Sequence, residues 1–142
     1  IKNQIAGSDP YESGRRKILN FGHTIGHALE AYSHESDAKI LLHGEAIAIG
    51  MVCEAYISHK LEHLPEKQLK EISSFIFSFF SKVNTESFTF HRLIEIMRHD
   101  KKNRDERINF TLLPEIGDAV FDRHAQANIV VDSLNYYQRW VG

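Results

Sequence analysis

The chain has 142 residues, of which 42% are hydrophobic, and this size and composition fit one globular domain with a single core. Its 17 basic and 19 acidic residues are spread along the whole length and give a net charge of −2, so no basic patch for nucleic acid or an anionic membrane is present. No run reaches the roughly 18 to 20 apolar residues of a membrane span, and the amino terminus lacks the pattern of a signal peptide. We therefore expect a cytoplasmic protein that binds small molecules or protein partners.

The first predicted element is an amphipathic helix from Gly14 to about Ser33. Its apolar residues recur at steps of three and four, which marks one buried helical face. Residues 2–10 show little helical or strand patterning, and the chain starts without methionine, so we expect a cut end there. The apolar positions of the helix are Ile18, Phe21, Ile25, Ala28, Leu29 and Tyr32.

Three further helices are predicted before residue 100. The run from Ala46 to Ile57 is apolar on nearly all sides, which indicates a helix in the middle of a bundle, and Cys53 within it is expected to be a buried, inert thiol in a reducing compartment. Pro65 suits the first turn of the next helix, and Thr89 suits the cap of a shorter one. The apolar stripes of these two helices are Leu69, Ile72, Phe75, Ile76, Phe79 and Phe80, and then Leu93, Ile94 and Met97.

The carboxy-terminal part predicts a short β-hairpin and a last helix. Apolar and polar residues alternate over residues 108–112, and a turn at 114–117 separates them from a second short strand. Asp122 is expected to cap the final helix. The predicted fold is mainly α, a multi-helix bundle with one short β-hairpin, and forms a single domain over residues 1–142.

The first predicted helix carries a polar stripe whose side chains suit a catalytic or metal site. Two histidines four residues apart, His23 and His27, can both reach a metal, or one can bind it while the other moves protons. His43 lies at a loop-to-helix junction, where its side chain can point into the same cleft. From spacing alone, a metal site and a solvated polar face remain equally open. At about 100 degrees per residue the stripe spans about 80 degrees and comprises Arg16, Asn20, His23, His27 and Glu30.

Neighbouring residues narrow the alternatives for this site. A zinc-protease helix needs a glutamate directly after its first histidine, and Thr24 stands there instead. Glu45 could orient His43, but a charged residue in the first turn of a helix more often stabilises the helix end, which we favour. Gly22 and Gly26 form a ridge without side chains, which costs about 1 kcal/mol each relative to alanine and predicts the close approach of another element.

Two strings resemble the signature of the 3-dehydroquinate synthase family. They are RKILNFGHTIGHALE at residues 16–30 and LHGEAIAIGM at residues 42–51, and the likeness continues to Lys2 upstream and to residues 112–117 downstream. It implies a shikimate-pathway enzyme that uses NAD and zinc or cobalt to convert 3-deoxy-D-arabino-heptulosonate 7-phosphate into 3-dehydroquinate and phosphate. A related sugar-phosphate cyclase, or a non-catalytic helical module with incidental histidines, is the alternative.

The resemblance also implies roles for individual residues. In the family the third zinc ligand is a glutamate upstream of the matched segment, and the NAD-binding α/β domain lies further upstream, so we expect the chain alone to be inactive. The full-length enzyme is expected to be a homodimer that binds a small sugar phosphate. The implied zinc ligands are His23 and His43, the histidine for proton handling is His27, and the residues for the anionic substrate are Lys2, Arg16, Asn20, Lys101 and Lys102.

Overall fold

The structure, a computed structural model, describes residues 20–36, 40–85, 88–100 and 107–141. These ranges form five helices and one two-stranded antiparallel sheet, which confirms the predicted mainly α fold with a short hairpin. No helix in them is long and apolar enough to cross a bilayer. The elements are α1 (His23–Glu35), α2 (His43–Leu61), α3 (Glu66–Phe79), α4 (Phe90–His99), β1 (Ile108–Leu112), β2 (Val120–Ala125) and α5 (Ala127–Arg139).

Helix α2 is the centre of the molecule, as its all-round apolar sequence predicts. Helices α1, α3 and α5 and strand β1 all pack against it. Val52, Cys53 and Ile57 have no exposed surface. Burial raises the pKa of the Cys53 thiol, and the expected burial of this thiol is confirmed.

Helices α1 and α2 approach each other closely because glycines line their contact. A Cβ added to Gly50 of α2 would lie 2.0 Å from the carbonyl oxygen of Gly22 and 2.8 Å from the amide nitrogen of Gly26. The close approach predicted from the glycine ridge is confirmed. The contact holds the start of α1 against the amino-terminal half of α2.

Helix α1 begins later than the sequence predicts. The expected helix from Gly14 does not run through Gly22, which is the N-cap of α1 and has a φ of 85°. That left-handed conformation suits glycine because a Cβ is disfavoured there. Asn20 lies before this break, so the single continuous helix predicted for Asn20, His23 and His27 is wrong.

The predicted burial of Phe75, Phe79 and Phe80 is also wrong. Helix α3 packs through Leu69 and Ile76, whereas Phe75 is 64% exposed and Phe79 is 72% exposed. Both phenylalanines lie about 60 to 120 degrees round the helix from the two packed residues. Phe80 follows the helix as its C-cap and is exposed as well.

The last helix begins after the hairpin and not at Asp122. Strand β2 extends as far as Ala125, which pairs with Ile108. Asp122 lies within β2, where its carboxylate accepts a hydrogen bond of 2.9 Å from the Asn109 side-chain amide. Gln126 is the N-cap of α5. The expectation that Asp122 caps this helix is therefore wrong, because strand pairing extends past it.

Candidate functional site

Three imidazole rings lie together where the starts of α1 and α2 meet. The ring centroids of His23 and His27 are 5.0 Å apart. The ring of His43, the first residue of α2, lies 6.1 Å from that of His23 and 5.9 Å from that of His27. The predicted proximity of these side chains is confirmed, while their roles stay predictions. An open depression at this point is lined by His27, Glu30, Ala31, His34 and His43.

Glu30 orients the ring of His43. The Nδ1 atom of His43 lies 2.8 Å from Oε2 of Glu30. Because an ionised carboxylate only accepts, Nδ1 donates and the lone pair of the ring is on Nε2. Carboxylates commonly fix metal-binding histidines in this way. The helix-end interpretation of Glu45 is confirmed, since its carboxylate accepts the N–H of Leu42 at 3.0 Å.

The ring of His23 is held from its own backbone. Its Nδ1 donates to the carbonyl oxygen of Phe21 at 3.2 Å, and this tautomer places the ring's lone pair on Nε2. The next residue, Thr24, donates its hydroxyl to the carbonyl oxygen of Asn109 in β1 at 2.8 Å. The first turn of α1 is therefore fixed to the hairpin as well as to α2.

His23 and His43 fit a divalent metal as a pair of ligands and not as a complete set. Two imidazoles bound to one zinc ion at about 2.0 to 2.1 Å have ring centroids roughly 5 Å apart. The observed 6.1 Å is wider by about 1 Å, a shift within the reach of side-chain rotation. In the part of the chain that the structure describes, no three His, Cys, Asp or Glu side chains are arranged to hold a metal ion. A third ligand from outside these residues would complete the site.

Of the remaining predicted site residues, the structure describes only Asn20. Asn20 is partly buried in the turn that leads into α1. The predicted substrate-binding residues Lys2, Arg16, Lys101 and Lys102 lie outside the described residues. Their roles remain predictions from the resemblance.

One residue at this junction was missed by sequence reasoning. Glu54 of α2 has no exposed surface, and its carboxylate accepts the backbone N–H groups of Gly22 and Ile25, both at 3.0 Å. It is the only acidic or basic residue that is fully buried among those the structure describes. A charge within the apolar run of residues 46–57 was the available signal.

The fold is similar to that of two synthases of known structure. It matches 2-deoxy-scyllo-inosose synthase complexed with carbaglucose-6-phosphate, NAD+ and Co2+ with a TM-score of 0.72 and 23% identity, over 90% of this chain and 36% of that one. It also matches 2-epi-5-epi-valiolone synthase from Streptomyces hygroscopicus, with NAD+ and Zn2+ bound, with a TM-score of 0.73 and 22% identity, over 95% of this chain and 36% of that one.

The sequence comparisons are more specific. The 3-dehydroquinate synthase C-terminal family matches residues 1–103. The chain is 39% identical to the 3-dehydroquinate synthase of Parabacteroides distasonis over 142 residues, which are 100% of this chain and 40% of that relative. The chain belongs to the 3-dehydroquinate synthase C-terminal family, and it spans about two-fifths of the length of this relative.

Proposed function

We propose that the chain is the carboxy-terminal part of a 3-dehydroquinate synthase, which converts 3-deoxy-D-arabino-heptulosonate 7-phosphate into 3-dehydroquinate and phosphate in the shikimate pathway. The meeting of His23, His27 and His43 at the α1–α2 junction, in a chain of this family, carries the proposal. Identity of 39% to a named 3-dehydroquinate synthase, against 22% and 23% to two other cyclases, supports this reaction over another ring closure. The full-length enzyme would be a cytoplasmic homodimer.

In this proposal helices α1 and α2 supply the metal-binding side chains. His23 of α1 and His43 of α2 would hold zinc or cobalt, and Glu30 keeps the ring of His43 oriented for that purpose. A metal ion bound there polarises hydroxyl and carbonyl oxygens of the substrate. NAD would be held mainly by residues outside this chain and would accept and return a hydride.

The remaining groups of the site would bind the substrate and move its protons. The ring of His27 lies one turn from His23, beside the two proposed metal ligands. From there it would exchange a proton with a substrate oxygen. Asn20 precedes the same helix and would donate hydrogen bonds to the substrate. The phosphate and the carboxylate of the substrate need cationic partners, for which we propose Lys2, Arg16, Lys101 and Lys102.

The metal site is tested by removing both ligands together. In the protein as its gene encodes it, we expect His23→Ala with His43→Ala to abolish bound zinc, because both proposed imidazole ligands of the chain are then removed. His34→Ala is the matched control, since this exposed histidine lines the same depression but is not a proposed ligand. Elemental analysis of the purified proteins gives the measurement. Full zinc content in the double variant would contradict the proposal.

The reaction is tested with the metal-loaded, NAD-supplemented protein of full length. We expect phosphate release from 3-deoxy-D-arabino-heptulosonate 7-phosphate and 3-dehydroquinate as the product. Turnover of a different sugar phosphate, with none of this one, would identify a related cyclase instead. Absence of both metal and turnover would leave the helical interaction module as the function.

A further inference from the structure

We propose that Glu54 is a positioning residue for His23. Its carboxylate, projecting from α2, caps α1 and holds the backbone on both sides of His23. This inference rests on the proposed function, because the position of the His23 ring matters there as that of a metal ligand.

Helix α1 begins without a cap of its own. Its N-cap residue, Gly22, has no side chain to accept the first N–H groups of the helix, which have no partner within it. In a capping box, the N-cap side chain accepts the N–H of the third helical residue, and an acidic third residue accepts the N–H of the N-cap. Here Oε2 of Glu54 accepts the N–H of Ile25, the third helical residue, and Oε1 accepts that of Gly22. One carboxylate from another helix therefore performs both parts of the cap.

The chemistry of this contact requires a carboxylate. Glu54 is fully buried, and a charge without water must be compensated by hydrogen bonds and by nearby positive charge. The two N–H groups and the positive end of the α1 dipole contribute to that compensation. A glutamine would accept from one N–H group but would turn its own donor towards the other. Packing alone would be met by an apolar side chain, whereas the two oxygens of Glu54 bind the start of α1.

The cap determines where the ring of His23 lies. His23 is the first residue of α1, between the two N–H groups that Glu54 holds, and its ring is bonded to the carbonyl oxygen of Phe21 just before them. Its direction is therefore set by the backbone of residues 21–25, including the left-handed Gly22. His43 lies on the same helix as Glu54. Glu54 thus fixes the His23 ring relative to the helix that carries the second proposed ligand.

The test uses cobalt as the metal probe and the protein as its gene encodes it. Co2+ titration followed by visible absorption reports both affinity and ligand geometry. We expect Glu54→Gln to weaken cobalt binding on the order of tenfold and to change the absorption bands. The matched control is Ser58→Ala, one turn further along α2. It removes a buried hydroxyl that donates to the backbone carbonyl oxygen of Glu54 and accepts the N–H of Leu113. It should lower the melting temperature and leave cobalt affinity and spectrum unchanged.

The outcomes separate this inference from the proposed function. If wild type binds cobalt and His23→Ala loses it, but folded Glu54→Gln keeps wild-type affinity and spectrum, the positioning role is overturned and the metal site stands. Wild-type protein without cobalt binding, or His23→Ala with unchanged binding, would overturn both. Glu54→Asp is a second variant, because it keeps the charge but is one methylene too short to span both N–H groups. We expect weaker cobalt binding from it too, and wild-type affinity and spectrum would again overturn the positioning role. Glu54→Asp is measured in the cold, where a destabilised variant stays folded.

Discussion

At the scale of single residues, glycines decide how close the histidine-bearing helices come. Gly22 and Gly26 on α1 face Gly50 on α2 with backbone atoms in direct contact. This contact brings the ring of His23 on α1 close to the ring of His43 on α2. The cost is a position on α2 that tolerates no side chain.

Gly50→Ala is expected to lower the free energy of unfolding by roughly 1–3 kcal/mol or more. The new methyl group would lie 2.0 Å from a backbone oxygen, so the two helices would have to move apart. Gly44→Ala is the control, because nothing lies within 4 Å of its added Cβ and alanine favours the helix by about 1 kcal/mol. Urea unfolding compares the two. Equal stability of both variants would contradict the tight contact.

Sequence reasoning found the histidines and Glu30, but not the pairing of Glu30 with His43 or the role of Glu54. The four-residue spacing of His23 and His27 on a helix is a local property, so it can be read directly from the chain. The pairing of Glu30 with His43, and of Glu54 with the start of α1, depends on how α1 and α2 cross. A sequence shows that a charge lies in an apolar run, but not which backbone groups it faces.

At the scale of helices and strands, periodicity predicts an element better than it predicts where the element starts. The all-round apolar run of α2 and the alternating residues of β1 both gave the right structure. The predicted start of α1 was wrong because the sequence does not show that Gly22 adopts a positive φ and ends the helical turn there. The start of α5 was wrong because an aspartate suits a cap and a hairpin equally well in sequence.

The end of α1 is tied to α4 by an ion pair that should make stability depend on pH. Both oxygens of Glu35 accept hydrogen bonds from Arg92, at 2.5 and 3.0 Å, and these bonds lower the pKa of Glu35 from its ordinary 4.5. A lowered folded-state pKa adds stability above the ordinary value, and this stability is lost as the pH falls through the folded-state pKa. The contribution is small because the pair is exposed and screened by salt.

Glu35→Gln is therefore expected to lower the melting temperature slightly at neutral pH and to have no effect in acid. Glu71→Gln, at an exposed position of α3, changes the net charge by the same amount and serves as the control. Thermal melts from neutral pH to below pH 4.5 give the measurement. A difference from wild type that grows as the pH falls would show that the sign is wrong.

At the scale of the whole molecule, the chain contains two proposed metal ligands. It spans about two-fifths of the length of the relative from Parabacteroides distasonis. The 142-residue chain by itself is expected to bind zinc more weakly than the full-length protein and to release no phosphate from substrate. Two imidazoles give a metal fewer protein bonds than the three usual in catalytic zinc sites. Zinc titration and a phosphate assay on both proteins make the comparison. Zinc affinity in the monomeric chain equal to that of the full-length protein would contradict this expectation.

The interlocked glycine backbones of α1 and α2 have a consequence for motion. Helices in such close contact do not slide past one another without separating, so they move as one rigid body. The backbone positions that carry the three imidazoles then keep their spacing, and only side-chain rotation changes the distances between the rings. A larger rearrangement at this site would come from groups outside the two helices, and the starts of α1 and α2 would keep their relative position.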